Sequence, residues 1–249
     1  MVDTNRSYNL VGGKREYYFN KYLSACMMTF TPVKNLGLSI GNSVVSCSKN
    51  YNPAYLSPFL FYSKQKYPGD SLQQLQYGQN SQFFLNVSSR QIRHLHLFGT
   101  LFMDNFKSSD LSWKVGLHLD DLPVRNLYFT AEYTMTTPNT YTDPVSTLTF
   151  ESNNFVLGSY LKDDSREIFV DLGYKPFRGF DVHVSWENQQ HASDYASQAI
   201  TAAVQYEFIN NAFVFIQYMN RNQTKDIGYV PDIFQLTTNT IMAGFNIGF

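Results

Sequence analysis

The sequence predicts an all-β fold, a transmembrane antiparallel β-barrel of outer-membrane type, or the C-terminal part of a larger one. Three observations carry this expectation. Apolar and polar residues alternate strictly through many short segments, which is the period of a strand. The connections between those segments alternate short and long, as periplasmic turns and extracellular loops do. The chain also ends on Ile241-Met-Ala-Gly-Phe-Asn-Ile-Gly-Phe249, in which Ile241, Ala243, Phe245, Ile247 and Phe249 share one face. An apolar unpaired edge invites aggregation in a soluble sheet, whereas the last strand of a barrel pairs with its first. The competing expectation is a soluble sandwich with an apolar last strand.

Composition agrees with the barrel. The 249 residues are 16% aromatic, with 18 Tyr and 21 Phe, and only 16% charged, against roughly 25% in an average soluble domain. Mean hydropathy is −0.29, and no apolar run approaches the ~18 residues of a membrane-spanning helix. A net charge of −1 without a stripe of Lys and Arg excludes a nucleic-acid partner. The opening Met-Val-Asp-Thr-Asn-Arg6 lacks the apolar core of a signal peptide. Either a signal is removed, or the chain is a fragment with a start methionine. Cys26 and Cys47 do not oppose each other across a hairpin turning near Pro32. A disulfide needs Cα atoms within ~7 Å, so both are expected to be unpaired.

Taken in order, a faint strand covers about 20–31. Leu36, Leu38, Ile40 and Val44 alternate with Gly37, Ser39, Gly41 and Ser43, with Asn42 as an exception. Faint strands follow at 79–89 and 93–104. Trp113, Val115, Leu117 and Leu119 alternate with Lys114, Gly116, His118 and Asp120. Leu127, Phe129, Ala131, Tyr133 and Met135 alternate with Tyr128, Thr130, Glu132 and Thr134. Ile168, Val170, Leu172 and Tyr174 alternate with Phe169, Asp171 and Gly173. The cleanest case is Phe180, Val182, Val184 and Trp186 against Asp181, His183, Ser185 and Glu187. Ile200, Ala202, Val204, Tyr206 and Phe208 alternate with Thr201, Ala203, Gln205 and Glu207, and a faint strand at 211–221 with one at 233–249 closes a set of eleven.

Short connections rich in Pro, Asn and Gly fall at 31–35, 89–93, 122–126, 175–179 and 209–212. Longer ones fall at 48–78, 137–165, 190–197 and 222–232, with 105–110 brief. With the short turns periplasmic, Phe249 ends at the periplasm, as barrel polarity requires. An odd strand count is unusual. Either residues 7–19 are the end of an extracellular loop whose upstream strand is missing, or one strand escapes detection. Residues 1–249 are read as a single barrel domain or a C-terminal barrel fragment.

The expected inward faces carry Glu132, Asp171, Asp181, His183, Glu187 and Glu207, with Lys114, His118 and Asp120. These could line a sugar-binding or permeation path, and Asp181 with His183 could be imagined as an acid–base pair. The plainer reading is the polar lining every barrel lumen needs. Nothing fixes a nucleophile, so no catalytic residue is assigned. His94 and His96 share a strand face in this reading, but Arg93 beside them argues against a metal there; no metal and no cofactor are expected. Trp113, Tyr128, Tyr174, Phe177, Phe180 and Phe213, near strand ends, suggest an interfacial aromatic girdle, or a sandwich core. In loop 48–78, Tyr51, Tyr55, Phe59, Tyr62 and Tyr67 could stack on sugar rings, and the loop is long enough to fold inward and narrow a lumen. A loop packed on itself is an equal reading. Phe245, Ile247 and Phe249 would form the insertion signal, with outer-membrane lipid and the barrel-insertion machinery as partners.

Phe30-Thr-Pro-Val-Lys-Asn-Leu-Gly-Leu-Ser-Ile-Gly-Asn-Ser-Val-Val45, Asn52-Pro-Ala-Tyr-Leu-Ser-Pro-Phe-Leu-Phe-Tyr62 and Leu97-Phe-Gly-Thr-Leu-Phe-Met-Asp-Asn-Phe106 resemble the capsule-assembly Wzi family of outer-membrane proteins, in its Bacteroidetes-like branch. Asn105 stands where that family tends to carry a second acid. The resemblance runs from about residue 20 to the end. It implies a large monomeric barrel of eighteen strands in the cell outer membrane, holding surface (capsular) polysaccharide without enzymatic chemistry. About seven strands would then lie upstream, and the family's N-terminal helical region has no counterpart here. The alternatives are a passive porin-like channel, an outer-membrane hydrolase and a subunit of a larger surface complex.

Overall fold

The computed structural model describes residues 2–10, 13–47, 78–104, 110–143, 145, 148–152, 155–192, 195–224 and 237–247, with side chains described from residue 21 onward, Cys47 excepted. Its strands are β1 (Val2–Leu10), β2 (Gly13–Val33), β3 (Leu36–Cys47), β4 (Gln79–Ser89), β5 (Leu95–Met103), β6 (Leu111–Asp120), β7 (Leu127–Thr136), β8 (Glu151–Ser152), β9 (Phe155–Val156), β10 (Ser165–Tyr174), β11 (Phe180–His191), β12 (Tyr195–Ile209), β13 (Ala212–Gln223) and β14 (Thr237–Ile247). Twelve form one antiparallel sheet in chain order, and β8 with β9 make a small hairpin beside it. Each strand of the large sheet pairs with the next, the up-and-down meander of a barrel wall. Among the described residues no ladder joins β14 to β1.

Two boundaries differ from the sequence expectation. Residues 7–19 are not a loop end: β1 pairs with the first part of β2, from Val2 opposite Asn20 to Leu10 opposite Gly13. The strand that an odd count called for is therefore present. The stretch 190–197 is not a long loop either, because β11 runs to His191 and β12 starts at Tyr195. Cys26 lies opposite Asn42 and Lys21 opposite Cys47. Cys26 is thus out of register with Cys47, and it is a free thiol.

Register sorts the side chains onto two faces, because directly opposed residues point the same way. One line of partners reads Leu119, Phe129, Leu172, Val184, Ala202, Tyr218 and Ile241. The neighbouring line reads His118, Thr130, Asp171, Ser185, Thr201, Met219 and Thr240. The apolar face is open: Leu172, Val184, Ile216, Ile241 and Phe245 are all exposed. A continuous exposed sheet face of this kind has no place in water, and it is what a strand wall presents to lipid. On β11 the band runs from Phe180 to Trp186, about 20 Å at 3.3 Å per residue. It stops at an aligned row of Asn188, Gln198, Asn222 and Thr237. At its other edge Phe180 and Tyr206 oppose each other, with Phe177 stacked on Phe180 at 5.0 Å. Trp113 and Tyr133 pair at 5.1 Å on the same face. Tyr128 and Phe213 do not belong to this girdle, because their partners Gly173 and Glu207 put them on the polar face.

The short turns share one construction. Val33-Lys34-Asn35-Leu36, Ile92-Arg93-His94-Leu95, Val124-Arg125-Asn126-Leu127, Phe177-Arg178-Gly179-Phe180 and Ile209-Asn210-Asn211-Ala212 each place an apolar residue first and a positive-φ residue third. Asn and Gly tolerate that backbone. At Gly179 (φ 83) a Cβ would also stand 2.5 Å from the Glu207 carbonyl oxygen. His94 occupies the third position with φ 65, so it lies in a turn and shares no strand face with His96.

Candidate functional site: a loop folded onto the polar face

The polar face is cross-linked from strand to strand. Lys114 Nζ donates to Glu132 Oε2 at 2.7 Å, bridging β6 and β7. His118 contacts Thr130 Oγ1 at 2.7 Å and Asp120 Oδ1 at 3.0 Å, and Ser88 contacts His96 at 2.8 Å. Near the short turns, Tyr128 donates to Asp181 at 2.9 Å, and Lys175 lies 3.5 Å from the same carboxylate. Lys175 also stands 5.0 Å from the centre of the Tyr128 ring. That ring lies across Gly173, where a Cβ would come within 2.0 Å of Tyr128 Cζ. The same register pairing sets Phe98 on Gly116, Phe84 on Gly41 and Phe215 on Gly244. Glycine on a strand lets an aromatic from the next strand lie flat over bare backbone.

At the other end, the connection between β7 and β10 (137–164) folds back over this face. Tyr141, Leu148, Phe150 and Leu161 in it are buried. Tyr141 and Phe150 form an apolar cluster with Val45 of β3, and Phe102 of β5 packs against it. The backbone of the loop is tied as well. Asp163 accepts from the Tyr141 amide at 2.7 Å and the Thr142 amide at 3.1 Å, and Asn80 of β4 donates to the Leu148 carbonyl at 3.4 Å and to Asp104 at 2.8 Å. Phe150 N donates to Tyr141 O at 2.8 Å and Leu157 N to Phe150 O at 3.1 Å, which brings Gly158 under the Tyr141 ring. A Cβ there would meet Tyr141 Cε1 at 2.0 Å.

On the far side, Tyr160 donates its hydroxyl to the buried Glu167 of β10. Gln189 of β11 bridges Glu167 at 2.9 Å and also donates to Glu187. The Tyr160 ring is exposed while its hydroxyl is turned inward. That withdrawal from water, and the Glu167 carboxylate it donates to, push the phenol well above the usual tyrosine range. The loop thus spans the polar face from β3–β5 to β10–β11. Between loop and wall it leaves an open cavity of about 440 Å³ lined by Thr100, Phe102, Lys114, Thr134, Tyr141 and Tyr160, among others.

The residues expected to face inward all fall on this polar face by register. Glu132 is in its ion pair, Asp171 opposes Thr130 and Ser185, and Glu187 joins the Gln189 cluster. Glu207 caps its turn by accepting from the Asn211 amide at 2.9 Å. Asp181 and His183 approach to 4.0 Å, but Asp181 is already engaged by Tyr128 and Lys175, so the pair is a strut. Phe245 and Ile247 sit on the exposed apolar face. Tyr51, Tyr55, Phe59, Tyr62, Tyr67 and Phe249 lie outside the described residues. Tyr141, Phe150, Tyr160, Asp163 and Glu167 were not singled out in the sequence; their one signal is the presence of apolar residues within an otherwise polar connection.

A sheet with one exposed apolar face and one polar, cross-braced face belongs in an outer membrane, the bilayer that strands of this kind cross. No family model matches the chain, and no curated protein sequence matches it either. Among solved structures it is similar to Salmonella typhi OmpF in complex with daunomycin, at 11% identity and a TM-score of 0.45 over 98% of this chain and 95% of that one. It is also similar to Pseudomonas aeruginosa OccD3 (OpdP), at 13% identity and a TM-score of 0.43 over 88% of this chain and 66% of that one. The fold as described rests on the ladders and faces of the chain itself.

Proposed function

We propose that the chain forms the wall of a passive outer-membrane channel for small polar solutes, narrowed by the loop 137–164. The loop itself carries this reading: it is pinned at several points across the polar face and leaves an open gap of about 440 Å³ beside Lys114 and Thr134. A lumen lined by Lys114, Glu132, Asp171, Asp181, His183 and Glu187 solvates ions and hydroxylated solutes, and no group among them is poised for bond breaking. Single-channel recording in planar bilayers tests the proposal. A small steady conductance is expected, and it should grow when Y141A releases the loop. Bilayers that stay silent with both proteins would contradict it.

Attachment of surface polysaccharide is a second reading. It is favoured by the resemblance of residues 30–45, 52–62 and 97–106 to the capsule-assembly family, and by the aromatic rings laid on the polar face at Phe84, Phe98 and Tyr128. Capsule retention by cells lacking the gene separates it from the channel: a passive channel leaves the capsule in place.

A further inference from the structure

Four of the five short turns carry a basic residue in the same place. Lys34, Arg93, Arg125 and Arg178 each follow an apolar residue and precede the positive-φ position. All four are exposed and make no ion pair among the described residues. The apolar residues before them, with Ile209 in the fifth turn, are 51% to 65% exposed: Val33, Ile92, Val124 and Phe177. The turn geometry does not need the cation: Ile209-Asn210-Asn211 has the positive-φ third residue with Asn in the second place.

Three of these apolar residues continue the lipid-facing band. Val33 opposes Leu36 and Ile209 opposes Ala212, both on the apolar face, and Phe177 stacks on Phe180 of the girdle. At Val33-Lys34 and Phe177-Arg178 an apolar group at the edge of the hydrocarbon is thus followed directly by a cation with no ion pair among the described residues, and the turns at Ile92 and Val124 repeat the same apolar–basic order. Arg90 and Lys175 add charge at the same end, where Asp120 is held by His118, Asp181 by Tyr128 and Lys175, and Asp121 accepts from the Asn126 amide at 2.7 Å. The opposite end carries Asp104, Asp110, Asp143, Asp163 and Asp164.

We propose that the short-turn rim is a phospholipid docking surface. Its apolar residues enter the interface of the adjacent leaflet, and Lys34, Arg93, Arg125 and Arg178 bind the phosphates of anionic headgroups. Guanidinium groups match phosphate oxygens in a bidentate fork, and basic residues at a membrane surface draw anionic lipid to them. The proposal rests on the membrane reading of the sheet and is independent of whether the lumen conducts.

Native mass spectrometry of the full chain in nonionic detergent tests it. Phosphatidylglycerol and phosphatidylcholine of matched acyl chains are added in turn, with heat-modifiable migration as the check on folding. Phosphatidylglycerol should be retained in several copies in preference to phosphatidylcholine. Each neutralised cation should weaken that binding about fivefold, the equivalent of about 1 kcal/mol. The combined K34Q/R93Q/R125Q/R178Q variant should lose the preference, and K162Q, at the other end, should keep it. If the combined variant misfolds, R93Q and R178Q singly carry the same expectation. Equal retention of the two lipids, a preference that survives the neutralisation, or full displacement by glycerol phosphate would each overturn docking to a leaflet.

Discussion

The Tyr141 ring lies 5.1 Å from the Phe102 ring, which ties the connection between β7 and β10 to strand β5 on the polar face of the sheet. Phe102 is on the polar face because it opposes Phe84 and Ser112. The contact holds the connection against that face.

Removing the Tyr141 ring should free the loop without unravelling the wall. Truncation of a buried aromatic costs roughly 3–5 kcal/mol, and here the loss falls on the loop. In Y141A, limited proteolysis should cut within 137–164 at protease levels the parent resists, while the strands keep their heat-modifiable migration. G158A should act in the same direction, since its Cβ would collide with the Tyr141 ring.

Alkaline pH should loosen the loop progressively above the ordinary tyrosine pKa. The folded pKa of Tyr160 is raised, so its contribution is fully present below the unfolded value of about 10 and is lost progressively as pH rises from there through the folded value. Ionised Tyr160 would then repel Glu167. Proteolysis of the loop followed against pH checks this. Loosening that begins well below the ordinary tyrosine pKa would contradict it, and Y160F, which cannot ionise, should show no such onset.

Bracing near the short turns rests on the flat ring of Tyr128. G173V should force that ring off the wall and break its bond to Asp181, with a stability loss of roughly 1–3 kcal/mol. Urea unfolding in detergent measures it. Y128A/G173V should recover part of the overpacking loss, because the collision partner is gone.

How far the sequence disclosed all this depends on the period. Alternation is regular within 113–120, 127–135, 168–174, 180–187 and 200–208, so strands β6, β7 and β10 to β12 and the facing of Glu132, Asp171, Asp181 and Glu187 are readable directly, while β13 is faint. The pair Gly12-Gly13 looked like a loop, and β1 was missed because Ser7-Tyr8-Asn9-Leu10 carries no sustained alternation. The tight β11–β12 connection was hidden because Ala192 adopts a positive φ (50) that nothing in its residue type signals. Aromatic richness draws attention to 48–78, which lies almost wholly outside the described residues. The connection 137–164, which packs on the polar face, contributes Tyr141, Leu148, Phe150 and Leu161 at irregular spacing. Burial in a loop follows no period, so pattern alone could not single it out. Tyr128 shows the same limit: its strand position was legible, but the ring's place over Gly173 depends on the neighbouring strand.

The chain terminus offers a test in cells. Phe245 and Ile247 are exposed on the apolar face, and burying a Phe is worth only about 1.5–3 kcal/mol. If Phe245, Ile247 and Phe249 form the expected insertion signal, deleting Phe249 should nevertheless lower assembly sharply. Surface levels equal to the parent's would contradict the insertion-signal reading.

The two-faced wall is the central claim, and β11 tests it most directly. In a background with Cys26 and Cys47 replaced by serine, a nitroxide label is placed in turn at each position from 181 to 186 in protein reconstituted in lipid vesicles. Collision with oxygen, which concentrates in hydrocarbon, should peak at 182, 184 and 186. Collision with a water-soluble nickel chelate should peak at 181, 183 and 185. A strand with no alternation, or with chelate access highest at 182, 184 and 186, would contradict a membrane-spanning wall.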